Sequence, residues 1–124
     1  MQTGQTVKYG EDVLRVLSVR GGSVLVIDCL RPAMPYWIEA EKLEESCTEF
    51  EMPDTLPPMD AIKPKQSKEM YKRWNCISGI VSFIADDALV PSLIKSSSDI
   101  NHVSRQTIRR YLYKYLVYQD VRCR

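Results

Sequence analysis

The chain has 124 residues, 44% hydrophobic and 27% charged, which is enough for one ordinary domain or two very small ones. It has no apolar run long enough to cross a bilayer, and its start, Met-Gln-Thr-Gly-Gln-Thr-Val-Lys, lacks the basic, apolar and cleavage regions of a signal peptide, so a cytoplasmic location is expected. The formal net charge of +1 conceals an asymmetry: residues 1–60 carry five Lys/Arg and eleven Asp/Glu, a net −6, and residues 61–124 carry twelve and five, a net +7. Only the second half suits a phosphate backbone.

Residues 5–51 read as β structure. Residues 6–9 form a short strand candidate, and residues 13–19 form a stronger one with partial alternation. Arg20-Gly21-Gly22 is a turn, and residues 23–30 follow as a strand rich in β-branched side chains. Together they predict a hairpin. Residues 31–35 hold two prolines and read as a loop, residues 36–39 as a strand, residues 40–45 as one helical turn, and residues 47–51 as a closing strand. Short strands at this density predict a small, strongly bent sheet or SH3-like barrel over residues 1–51.

Residues 52–66 contain four prolines and read as an extended linker. Helical periodicity dominates afterwards, so the expected fold is α+β, with a three-helix helix-turn-helix domain over residues 67–124. The first helix is expected over residues 68–85 behind a Ser67 cap, with Met70, Tyr71, Trp74, Ile77, Ile80, Val81 and Ile84 as apolar positions. Asp86 or Asp87 is expected to cap a second helix that starts near Val90, because Pro91 fits best in a first turn, and reaches about Ser97. Residues 96–101 then begin a turn.

The most informative segment is residues 102–116. Ser104 is a suitable N-cap, and Val103, Ile108, Leu112 and Leu116 are apolar anchors at helical spacing. Arg105, Gln106, Arg109, Arg110 and Lys114 occupy much of the remaining surface. Such a helix packs one side on a core and offers the other to the major groove of double-stranded DNA. Arg105 and Gln106, in the first turn, are the expected base readers, since arginine pairs bidentately with guanine and glutamine with adenine. Thr107, Arg109, Arg110, Tyr113 and Lys114 are expected at phosphates and groove walls, with Lys68, Lys72 and Arg73 adding backbone contacts from the first helix. Lys63 and Lys65 are weaker candidates to follow the duplex.

Catalytic chemistry finds little support. Asp86-Asp87 reads as a helix cap rather than a metal site, and Gly21-Gly22 is not followed by a phosphate-loop Gly-Lys. Cys29, Cys47, Cys76 and Cys123 form no Cys-x-x-Cys pair, and His102 is the one histidine, which argues against zinc and for reduced thiols. No cofactor, metal, membrane or small-molecule substrate is expected.

Residues 7–19, Val-Lys-Tyr-Gly-Glu-Asp-Val-Leu-Arg-Val-Leu-Ser-Val, are similar to the opening β segment of TnsB-type transposases, the DDE recombinases related to phage Mu transposase. Residues 103–116, Val-Ser-Arg-Gln-Thr-Ile-Arg-Arg-Tyr-Leu-Tyr-Lys-Tyr-Leu, resemble their first helix-turn-helix, and the order of β segment, linker and helical domain agrees. The turn position that usually holds glycine falls here around Asn101 and His102. The resemblance implies a non-catalytic N-terminal region that binds transposon ends, with other recombinase subunits as further partners. A helix-turn-helix transcriptional regulator is the alternative that shares the DNA chemistry. A protein-interaction module is the other alternative, resting on the acidic β unit with Tyr36 and Trp37.

Overall fold

A computed structural model describes residues 2–50 and 64–118, with side chains from residue 68 onward in the second stretch. The chain divides into two compact units, Met1–Asp54 and Thr55–Arg124. The expected linker falls largely on residues 51–63, outside the described residues.

The first unit is a five-stranded antiparallel sheet in the order β4-β3-β2-β1-β5. Its strands are β1 (Thr6–Tyr9), β2 (Asp12–Arg20), β3 (Ser23–Asp28), β4 (Tyr36–Glu39) and β5 (Cys47–Glu49), with α1 (Ala40–Ser46) between the last two. The expected hairpin is present: Arg20 pairs with Ser23, and Gly21, at φ +57°, makes the tight reversal that a side chain would strain. A second tight turn at Gly10 (φ +62°) joins β1 to β2, where Tyr9 pairs with Asp12. Strand β3 ends at Asp28, two residues before the expected limit. Asp28 Oδ1 accepts from the backbone N–H of Leu30 at 2.9 Å and of Arg31 at 3.2 Å, which turns the chain out of the sheet. The closing strand pairs with β1, setting Tyr9 opposite Cys47. It ends at Glu49, also two residues short of expectation.

One face of the sheet buries Val7, Leu14, Val16, Val24 and Val26 against Leu43 of α1. Residues that alternate onto the other face, including Val13, Leu25 and Ile27, are buried too. A β-bulge explains the imperfect alternation of β2. Val16 pairs with Val26 and Ser18 with Leu25, so Leu17 is one extra residue that shifts the phase of everything after it. Trp37 of β4 lies opposite Leu25, and the Arg20 guanidinium sits 5.1 Å from its ring centroid.

The second unit has three helices, α2 (Pro64–Val81), α3 (Val90–Asn101) and α4 (Arg105–Tyr118), each packed against the other two. Met70, Cys76, Ile77 and Ile80 of α2, Val90 and Ile94 of α3, and Ile108, Leu112, Leu116 and Val117 of α4 are buried. Trp74 and Tyr115 meet at the boundary with centroids 5.0 Å apart. Several boundaries correct the sequence reading. Helix α2 begins at Pro64, so Ser67 lies inside it rather than capping it, because proline suits a first helical position. It stops at Val81 instead of residue 85, giving way to turns closed by Phe83 N–H to Ile80 O at 3.0 Å and Ile84 N–H to Val81 O at 3.3 Å. Tyr71, expected in the apolar stripe, is 54% exposed.

The N-cap of α3 is Leu89, with Pro91 in the first turn, and no side chain caps it. Asp86 acts one turn earlier: its Oδ1 accepts from the Leu89 N–H at 3.1 Å. The serine run expected to open a turn remains helical through Asn101. Serine tolerates this because its hydroxyls find carbonyls. Ser97 Oγ donates to Cys76 O on α2, and Asn101 Nδ2 donates to Ser97 O at 2.9 Å.

Candidate nucleic-acid interface

Residues 102–104 connect α3 to α4, and their geometry is fixed from both sides. His102 holds φ 56° and ψ 39°, the left-handed conformation that ends many helices. It stands where a glycine would be expected, and it is the one non-glycine residue at positive φ among those described. Ser98 organises the connection. Its carbonyl accepts from the His102 N–H and, at 3.3 Å, from the Val103 N–H, and its hydroxyl donates to Val103 O at 2.5 Å. Nothing in the serine-rich sequence distinguished Ser98 from its neighbours for this role.

Ser104 then caps α4. Its Oγ accepts from the Thr107 N–H at 3.1 Å and lies 2.8 Å from Thr107 Oγ1. The Thr107 hydroxyl, expected at DNA, is therefore already engaged in the cap. The half-buried Val103 is a weaker anchor than Ile108, Leu112 and Leu116, which hold α4 to the core.

The other candidates on α4 are brought together on one helix. Arg105, Gln106 and Arg110 are exposed, and Arg109, Tyr113 and Lys114 are half-buried. Residues three or four apart are neighbours on a helix surface. Gln106, Arg110 and Tyr113 thus form one line, Arg105 and Arg109 a second, and Arg110 and Lys114 a third. Burial pushes the Tyr113 phenol above its ordinary range, and the Arg109 guanidinium one turn away opposes this more weakly. The phenol consequently keeps its proton at neutral pH and can donate to an anionic oxygen. Among the described residues no buried acidic side chain opposes this positive charge.

On α2, Lys68 and Lys72 are exposed and Arg73 is half-buried. Lys63 lies outside the described residues, as do the side chain of Lys65 and all of Cys123. Two exposed residues of the helical unit were not named as DNA contacts from the sequence: Lys95, midway along α3, and His102 in the turn itself. A left-handed position is invisible to apolar periodicity, and Lys95 was hidden in a helix read only for its caps. Cys29 and Cys76 are buried thiols held above the usual cysteine range mainly by that burial. Among the described residues no three His, Cys, Asp or Glu side chains group to hold a metal ion, and no helix is long and apolar enough to cross a membrane. No protein-family model and no curated protein matches this chain.

Proposed function

We propose that this chain binds double-stranded DNA with sequence specificity, using α3, residues 102–104 and α4 as a helix-turn-helix. The observation that carries this reading is the first turn of α4. Arg105 and Gln106 project into solvent directly after a formed Ser104 cap, on a helix whose other side is fixed by Ile108, Leu112 and Leu116. In this reading that end of α4 meets base edges. Arginine has the donor fork for guanine O6 and N7, and glutamine the donor–acceptor pair for adenine. Arg109, Arg110, Tyr113 and Lys114 then hold the flanking phosphates, with Lys68, Lys72 and Arg73 contributing from α2.

The β unit supports the fuller form of the proposal. A five-strand meander whose last strand returns to β1, with a short helix before it, suits an SH3-like unit. An SH3-like unit ahead of a helix-turn-helix is the arrangement implied by the resemblance to TnsB- and Mu-type transposases. We assign the chain on that basis to transposon-end recognition by the N-terminal region of such a recombinase, a binding role rather than strand-transfer chemistry.

The test is titration of the chain with a labelled duplex selected from a random pool, repeated across salt concentrations. About five phosphate contacts predict a log–log slope of about −4 to −5. Salt-insensitive binding, or none at low salt, would overturn the proposal.

A further inference from the structure

The acidic unit carries a surface feature that DNA recognition leaves unused. Residues directly opposite one another in an antiparallel ladder share a face of the sheet. Tyr9 lies opposite Asp12, Leu14 opposite Asp28, and Val26 opposite Tyr36. Leu14 and Val26 belong to the buried cluster under α1, and Tyr9 packs against that cluster. All four polar or aromatic residues therefore border one apolar floor, in the order Tyr9, Asp12, Asp28, Tyr36 across four strands.

Their environments agree with this placement. Tyr36 is 44% exposed, Asp12 is exposed, and Tyr9 and Asp28 are half-buried. The Tyr36 phenol is pushed above its ordinary range by partial burial first, then by the negative charges of Asp12 and Asp28, then by Tyr9. All three neighbours are thus close enough to act on it. The Asp28 carboxylate is held in place by the N–H groups of Leu30 and Arg31 at 2.9 and 3.2 Å. Two aromatic rings flanking two carboxylates attract a cation twice, through the ring quadrupoles and through direct charge. Residues 2–50 carry five Lys/Arg and eight Asp/Glu, a net −3, which adds to that field and repels phosphate.

We propose that the border formed by Tyr9, Asp12, Asp28 and Tyr36 is a docking site for the cationic side chain, lysine or arginine, of an extended segment of a partner protein. Tyr36 puts one end of this border on the edge strand β4.

The experiment uses the full chain, isotopically labelled, with amide shifts followed by NMR. The probes are acetyl-lysine-amide and acetyl-arginine-amide, with the uncharged acetyl-norleucine-amide and acetyl-citrulline-amide as their neutral counterparts. Saturable shifts at residues 9, 12, 28 and 36 are expected with the cationic probes and not with the neutral ones. Tyr36→Ala and Asp12→Asn should each weaken the cation about threefold to tenfold, with the remaining spectrum and the DNA affinity unchanged. Equal response to neutral probes, no saturable shift, or undiminished binding in both variants overturns the site. Movement of the same resonances by a duplex oligonucleotide, or by protein concentration alone, overturns the choice of occupant.

Discussion

His102 is the residue at which local cost and proposed function meet. A side chain at φ 56° is strained where glycine is not. His102→Gly should therefore stabilise the helical unit by about 0.5–1 kcal/mol, offset in part by the greater freedom of glycine in the unfolded chain. A rise in the thermal midpoint with unchanged DNA affinity would make the imidazole dispensable; a rise with weaker binding would add it to the interface. The α4 side chains divide by position. Arg105→Ala or Gln106→Ala should cost roughly 1–3 kcal/mol on a preferred site and little on random DNA. Arg110→Ala or Lys114→Ala should weaken both alike and reduce the salt slope by about one each. Competition between selected and scrambled duplexes measures the difference, and equal losses for all four variants would mean that α4 positions the protein without reading bases.

The connection between α3 and α4 depends on hydroxyl groups that lie on both sides of it. Ser104→Ala removes the cap on α4 and should cost about 0.5–2 kcal/mol. Ser98→Ala removes the donor to Val103 O and should cost about 0.5–1.5 kcal/mol, with a larger effect on DNA affinity than its stability loss explains if the angle of α4 matters. Leu112→Ala, at the buried centre of the same helix, should cost about 2–5 kcal/mol, measured by chemical denaturation. Some of these elements were legible in the sequence. Ser104 stands directly before a periodic apolar series, and Gly21-Gly22 separates two β-rich runs, so cap and hairpin follow from local chemistry. The end of α3 was not legible, because Ser96, Ser97 and Ser98 favour turns until a neighbouring carbonyl takes their hydroxyls. The start of α2 was misread because Pro64 serves equally as a linker residue and as a first helical residue. On α4 the candidate side chains were legible from spacing alone, whereas the engagement of Thr107 with Ser104 depends on which rotamers the cap selects.

At the scale of the whole molecule, charge is divided as the fold is divided. Residues 61–124 should keep most of the DNA affinity when residues 1–60 are removed, since the missing half carries −6; retention of affinity by the β unit alone would reverse that assignment. Stability should respond to alkali. The Cys29 and Cys76 thiols are raised by burial, so the folded chain holds protons that the unfolded chain releases first. Their contribution is intact below the ordinary cysteine range and is lost as pH rises through it. Urea midpoints should be level near neutrality and fall in that alkaline window, and Cys29→Ala with Cys76→Ala should flatten the fall at the expense of packing.

The bulge at Leu17 acts as a phase switch. Before it, residues of β2 and β3 match in one parity, with Val16 opposite Val26; after it the parity is reversed, with Arg20 opposite Ser23. Ser23 shares its face with Leu25 and Trp37, which is how Arg20 comes to cover the Trp37 ring. Shortening the chain by Leu17 would restore an unbroken two-residue rhythm. It would keep Ser18 opposite Leu25, Val19 opposite Val24 and Arg20 opposite Ser23, so that every side chain after the bulge stays on the face it already occupies. The deletion thus costs the burial of one leucine and the local twist of the bulge but puts no polar group into the core, and a folded sheet with a lowered urea midpoint is the expected outcome.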